Sequence, residues 1–149
     1  MEKIIIRKVK VEEIDWVNSK YKKIGFLASD YDNEYIVIAE INNNACGLGR
    51  LTTIDTDNLE LGGIYVFDEF RGLGVADQIV THLMSKASKN KKIWCLPFNH
   101  LKDFYLKFGF KDHSLSDYQI PNKITSKYQW CNKTYDKGVL LLTKLQVVT

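Results

Sequence analysis

The chain has two prolines, three cysteines and no long apolar run, and each shortage excludes something. Cys46, Cys95 and Cys131 are odd in number and far apart, so they read as reduced thiols of a cytoplasmic protein. No pair of them has metal-ligand spacing, and His82, His100 and His113 do not cluster with them; no structural metal is expected. No stretch approaches the roughly 20 apolar residues that cross a bilayer. Met1-Glu2-Lys3 and the three isoleucines that follow are too short for a signal-peptide core, so no membrane association is expected. Charge of one sign is scarce too. The net charge of +3 comes from scattered lysines and short runs such as Lys20-Tyr21-Lys22-Lys23 and residues 86–92. These read as solvated faces rather than a nucleic-acid surface, although a cationic rim would help gather an anionic ligand. No repeat or low-complexity linker divides the chain. Its 149 residues, 45% hydrophobic and 26% charged, suit one globular domain over residues 1–149. A homodimer is left open.

What is present is organised around residues 61–89. Ile64-Tyr65-Val66-Phe67 is β-branched and aromatic and favours an extended strand. Asp68-Glu69-Phe70 leaves it, and Arg71-Gly72-Leu73-Gly74-Val75-Ala76 follows with two turn glycines. Val75, Ala76, Ile79, Val80, Leu83, Met84 and Ala87 then repeat with the spacing of a one-sided helix. A glycine-rich loop that opens a helix presents unpaired backbone N–H groups at the positive end of the helix dipole. Such a site holds phosphate without a special side chain.

Two nucleotide-binding readings fail on spacing. No Gly-Lys-Ser/Thr tripeptide occurs, so this is not a Walker loop. A dinucleotide fingerprint begun at Gly72 would place its third small residue on Asp77, whose charge would oppose a pyrophosphate. The pattern that fits is Arg-x-x-Gly-x-Ala on Arg71, Gly74 and Ala76. It resembles the pyrophosphate loop of the GNAT superfamily of acyl-CoA-dependent N-acyltransferases. A second stretch, Asn99-His100-Leu101-Lys102-Asp103-Phe104-Tyr105-Leu106-Lys107-Phe108-Gly109-Phe110, is similar to that family's Phe-Tyr-x-x-x-Gly-Phe ending. Asn99 is expected to cap a short helix there, with Leu101, Phe104, Tyr105 and Phe108 inward and Gly109 just past its end. The resemblance covers roughly residues 35–110. One departure is Asp68, where many members carry proline.

Elsewhere the pattern predicts strands over 3–9, 34–41, 45–53, 59–67, 92–96, 110–113 and 137–145, and a helix over 11–22 with Val11, Ile14, Val17 and Tyr21 on one face. A short helix is read around 25–29 and a turn at Asn42-Asn43-Asn44; residues 114–135 carry few signals beyond Pro121. This order is that of a mixed α/β layer. The resemblance implies a GNAT-like, mostly antiparallel sheet flanked by helices and splayed between its fourth and fifth strands, 59–67 and 92–96, where a cleft takes the cofactor arm. Gly62-Gly63 is read as a bulge that bends the fourth strand or as two tolerated glycines.

The chemistry implied is N-acetyl transfer from acetyl-CoA to a primary amine of a small molecule or protein, by direct attack in a ternary complex. The amides of Arg71, Gly72, Leu73, Gly74, Val75 and Ala76 would anchor the pyrophosphate. A backbone N–H near Tyr65 or Val66 would polarise the thioester oxygen. Asn99 and Tyr105 complete the cofactor contacts. Tyr105, protonated at neutral pH, is the candidate general acid for the leaving thiolate, with simple packing as the alternative. Glu60 matches the catalytic glutamate of histone-modifying members; as a base it needs burial or a water relay, and a solvated strand glutamate is the plainer account. Asp68 and Glu69 are weaker rivals. Tyr21, Phe26, Tyr31, Tyr118, Tyr128 and Trp130 either line an acceptor pocket or pack the connections that carry them. A non-catalytic acyl-CoA sensor is the alternative function. An enzyme acting on charged tRNA would need an extended basic face, which the small net charge argues against.

Overall fold

β-Branched runs and one-sided helices set the order of elements in the computed structural model, which describes residues 3–146. Met1 and Glu2, part of the signal-peptide reading, lie outside the described residues. The strands are β1 (Ile4–Lys8), β2 (Glu34–Ile41), β3 (Asn44–Thr53), β4 (Asn58–Val66), β5 (Lys92–Cys95), β6 (Lys111–Asp112) and β7 (Leu142–Leu145). The α-helices are α1 (Ile14–Lys23), α2 (Val75–Lys86), α3 (Lys102–Leu106) and α4 (Asn122–Thr134). No described helix is long and apolar enough to cross a membrane. The strands hydrogen-bond in the order β1-β2-β3-β4-β5-β7-β6, giving a mixed, mostly antiparallel sheet with one parallel pair, β4 and β5. The fold class is the α/β, GNAT-like one that the motifs imply.

The chain forms two compact units, and β4 passes from one to the other. The first holds the segment up to Thr52 and Gly63–Ala87. Here β2 is buried along Ile36-Val37-Ile38-Ala39 and pairs antiparallel with β1 and β3. The β2–β3 loop is two residues, Asn42 and Asn43, with φ of 52° and 65°. Both central positions of a tight hairpin need positive φ, which asparagine tolerates best after glycine. Val9, Val17, Tyr21, Ile36, Ile38 and Leu48 form a core cluster, with Tyr65 and Phe67 packed against it. Val11 departs from the expected apolar face: it lies in a 3₁₀ turn before α1 and is 56% exposed. α2 turns Val75, Ile79, Val80 and Leu83 inward, as their spacing requires.

The second unit holds Thr53–Gly62 and the chain from Ser88 onward. β4 pairs with β5 from Asn58↔Lys92 to Leu61↔Cys95, and the pairing stops where Gly62 carries β4 out of this unit. β7 pairs antiparallel with both β5 and β6. Trp94 is fully buried, its indole N–H donating to Asn58 Oδ1 at 2.8 Å. The last strand is shorter than its sequence suggests: before Leu142 the chain is joined by an isolated bridge, Phe98↔Val139, and by the His113 N–H donating to the Leu141 carbonyl at 2.9 Å.

Three local expectations are corrected. Residues 25–29 form no helix; Ser29 instead exchanges hydrogen bonds with Asn18 of α1, its N–H to Oδ1 at 2.7 Å and its carbonyl from Nδ2 at 3.2 Å. Asn99 does not cap α3. A 3₁₀ turn, Asn99–Leu101, precedes that helix without a side-chain cap, and the Asn99 N–H donates to the Gly138 carbonyl at 3.0 Å. Residues 122–134 form α4, a 13-residue helix that the sequence does not advertise.

Candidate active site

In the first unit β4 runs into a 3₁₀ turn, Asp68–Phe70, and then into the glycine loop. Gly72 and Gly74 have φ of +81° and +83°, left-handed values that disfavour side-chain-bearing residues. Nothing lies within 4 Å of the point where a Cβ would stand on either. These glycines are thus required by backbone conformation, and the space beside them is open. Gly74 is the N-cap of α2, and the first helical bond runs from the Gln78 N–H to its carbonyl at 3.2 Å. A helix's first turn leaves backbone amides without an intrahelical partner as a rule, and the dipole of this 12-residue helix adds to the pull of such a start on an anion. Arg71 is exposed and pairs with exposed Asp68 at 3.2 Å, a contact that a stronger anion can displace at little cost.

Upstream in β4, Gly63 also takes a left-handed φ, +62°, in the middle of the strand. The distortion foreseen at Gly62-Gly63 therefore sits on Gly63. The Tyr21 hydroxyl donates to its carbonyl at 2.7 Å. Tyr21 is 0% exposed, so among the aromatics weighed as an acceptor lining it belongs to the core. Tyr65 packs edge-on against Phe67 at 5.0 Å.

The second unit carries the titratable candidates. Glu60 of β4 is 5% exposed, not the solvated strand residue that the sequence makes the plainer reading. Its Oε2 accepts from Lys127 Nζ at 2.7 Å. Lys127 is a residue that sequence reasoning missed. It shares one face of α4 with buried Ile124 and Cys131, at the i, i+3, i+7 positions of an apolar stripe. Glu60 and Lys127 bear oppositely on the Cys95 thiol; burial, the larger effect, pushes that thiol well up and keeps it neutral. Tyr105 is 4% exposed in α3, edge-on to Phe104 at 4.9 Å and to Phe110 at 6.2 Å. Burial, and secondarily Cys95, push its phenol well above the ordinary 10.0, so the hydroxyl remains a proton donor. Asn99 is exposed, its amide beside Gly138. Among the described residues no group of three or more His, Cys, Asp or Glu is arranged to hold a metal.

An open mixed sheet whose fourth strand leads into a glycine loop at a helix start defines an α/β protein. Comparison supplies the family. The acetyltransferase (GNAT) domain signature matches residues 32–112, more than half of the sequence, and the chain belongs to that family. No curated protein matches it in sequence. Solved structures do match in fold. A GNAT family acetyltransferase from Elizabethkingia anophelis with acetyl-CoA bound is similar at TM-score 0.67 and 18% identity, over 97% of this chain and 98% of that one. Arabidopsis thaliana Naa50, in complex with a bisubstrate analogue, is similar at TM-score 0.64 and 15% identity, over 95% and 97%. N-acetylglutamate synthase from Neisseria gonorrhoeae, complexed with coenzyme A and L-arginine, is similar at TM-score 0.69 and 16% identity over 98% of this chain. This chain spans only about a third, 34%, of that synthase. At such identities the likeness is one of fold.

Proposed function

We propose that the protein is an acetyl-CoA-dependent N-acetyltransferase, acting as one domain over residues 1–149 on a primary amine of a small molecule or protein. The observation that carries this reading is the Arg71–Ala76 loop, with two left-handed glycines beside open space at the start of α2, in a chain of the GNAT family. Acetyl-CoA-bound and CoA-bound neighbours of the same fold support it. Three buried free cysteines support a reducing, cytoplasmic setting.

The thioester supplies an acetyl group already activated toward amines. In this reading the amides of Gly72–Ala76 take the pyrophosphate, the Arg71 N–H expected with them being turned instead to the Asp68 carbonyl at 3.4 Å, and a β4 amide at Tyr65 or Val66 polarises the thioester oxygen. The amine nitrogen bonds to the carbonyl carbon as the carbon–sulfur bond breaks. Glu60, directly or through water, receives the amine proton at the oxygen that Lys127 does not occupy. Tyr105 returns a proton to the departing thiolate.

Titration calorimetry with acetyl-CoA, CoA and propionyl-CoA tests the anchor; dissociation constants on the order of micromolar are expected. Release of free thiol with added amines then separates an enzyme from a sensor that binds without turnover. No binding by any of the three thioesters or thiols would return the loop to a plain helix start. Glu60→Gln is expected to lower kcat/KM most at acid pH, where the amine is protonated and deprotonation limits the rate. Parallel pH profiles of the two proteins would point to a different base.

A further inference from the structure

Arg50 is a charged residue of β3 that no role described so far uses. It is 5% exposed. Its guanidinium carbon lies 4.4 Å from the centre of the Tyr21 ring. Nη1 donates to the Leu27 carbonyl at 3.0 Å and to Ser29 Oγ at 2.6 Å. Among the described residues the contacts of this buried cation are a ring, a carbonyl and a hydroxyl, while the Glu34 carboxylate bears on the same Tyr21 phenol. Holding a charge so costs desolvation that an apolar residue of similar volume would avoid.

The arrangement converges on Gly63. A Cβ on that residue would stand 2.7 Å from the Tyr21 hydroxyl, 2.8 Å from Arg50 Nε and 3.0 Å from Arg50 Cγ. Its left-handed φ and this crowding both exclude a side chain. Arg50 stacks on Tyr21, Tyr21 donates to the Gly63 carbonyl, and Arg50 also holds Leu27 and Ser29 of the α1–β2 connection. Burial, partly opposed by Arg50, pushes the Tyr21 phenol up, so it remains a donor throughout the working range.

We propose that Tyr21 is a positioning residue for acyl transfer: its hydroxyl, backed by Arg50, pins the Gly63 carbonyl and so aims the following β4 amides at the thioester oxygen. Beyond Leu61 β4 is no longer paired with β5, and two residues later, at Gly63, it takes a left-handed φ. A hydrogen bond from a fully buried tyrosine adds a constraint at that residue, where the left-handed turn sets the course of the peptides that follow. Pinned amides polarise a carbonyl without reorganising during the reaction. This inference rests on the N-acetyltransferase reading and goes beyond it, since Tyr21 touches no reacting atom.

The test is Tyr21→Phe, which removes the hydroxyl and keeps the ring beneath Arg50. The expected result is a fall in kcat of about tenfold, the kinetic equivalent of one buried hydrogen bond. Acetyl-CoA affinity by calorimetry is expected to stay within about twofold, because the pyrophosphate anchor is untouched. Infrared difference spectra of bound acetyl-CoA, isotope-labelled at the acetyl carbonyl carbon, report polarisation directly. The carbonyl stretch is expected below its free value in the native protein and shifted back toward it in the variant, whereas a merely structural hydroxyl would lower the melting temperature alone. Arg50→Lys keeps the charge and loses the planar donors, so the same shift is expected to a smaller degree; it carries the test if Tyr21→Phe does not fold. Native kcat and native carbonyl frequency in a folded variant would overturn the proposal while leaving the acyltransferase reading intact. Failure of the native protein to bind acetyl-CoA would overturn both.

Discussion

Gly74→Glu is expected to weaken acetyl-CoA binding by roughly 30- to 1,000-fold while leaving a folded protein. Gly74 has φ of +83° with nothing within 4 Å of its Cβ position, so a side chain there meets no neighbour and projects into the space proposed for the pyrophosphate. The backbone strain, about 1–2 kcal/mol, falls on the folded state with or without ligand and so lowers stability rather than affinity. A carboxylate at the first turn is favourable to the α2 dipole and offsets part of it. Affinity falls through charge. Two like charges about 4 Å apart repel by about 4 kcal/mol at an effective dielectric constant of about 20. Half to all of that corresponds to a loss of roughly 30- to 1,000-fold. Gly74→Ala separates the two effects, since it carries the strain without the charge and should lower the melting temperature with a far smaller change in affinity. Calorimetry on the two variants checks this, and native affinity in Gly74→Glu would remove the loop as anchor.

Tyr105→Phe is expected to lower kcat by about 100-fold with little change in acetyl-CoA affinity, the lower end of what a positioned general acid contributes. The ring keeps its edge contacts with Phe104 and Phe110, so packing is preserved and only the proton is lost. The direction of the phenol shift fixes the pH behaviour. An acid must be protonated to act, and burial pushes Tyr105 well above 10.0, so no alkaline loss of rate below that value should trace to it. The same burial makes it a weaker acid, which ties proton transfer to the departure of the thiolate. A rate for Tyr105→Phe equal to the native one would leave the hydroxyl as a packing detail.

The elements that proved legible are those whose signal is local. β2 reads as a strand from Ile36-Val37-Ile38, and α2 reads as a helix from Val75, Ile79, Val80 and Leu83, because each buries one continuous apolar pattern. Gly72 and Gly74 read as turn residues from the sequence, and both are left-handed. α4 escaped because a lysine stands in its buried stripe, and what makes Lys127 tolerable there is Glu60, 67 residues earlier. Asn99 misled for the same reason: an asparagine before a helix signals a cap, but the Asn99 N–H is taken by Gly138. Residues 25–29 looked helical until Asn18 and Arg50 claimed the polar groups of Leu27 and Ser29.

The sequence by itself therefore determined the order of the strands, the helix α2 with the glycine loop that opens it, and the family, since short-range spacing encodes one-faced burial and turn chemistry. Only the tertiary structure decided which polar groups are buried and who satisfies them: Glu60 with Lys127, and Gly63 with Tyr21 and Arg50. A polar group removed from water must find its partner wherever the fold provides one, and those partners come from segments far away in the chain.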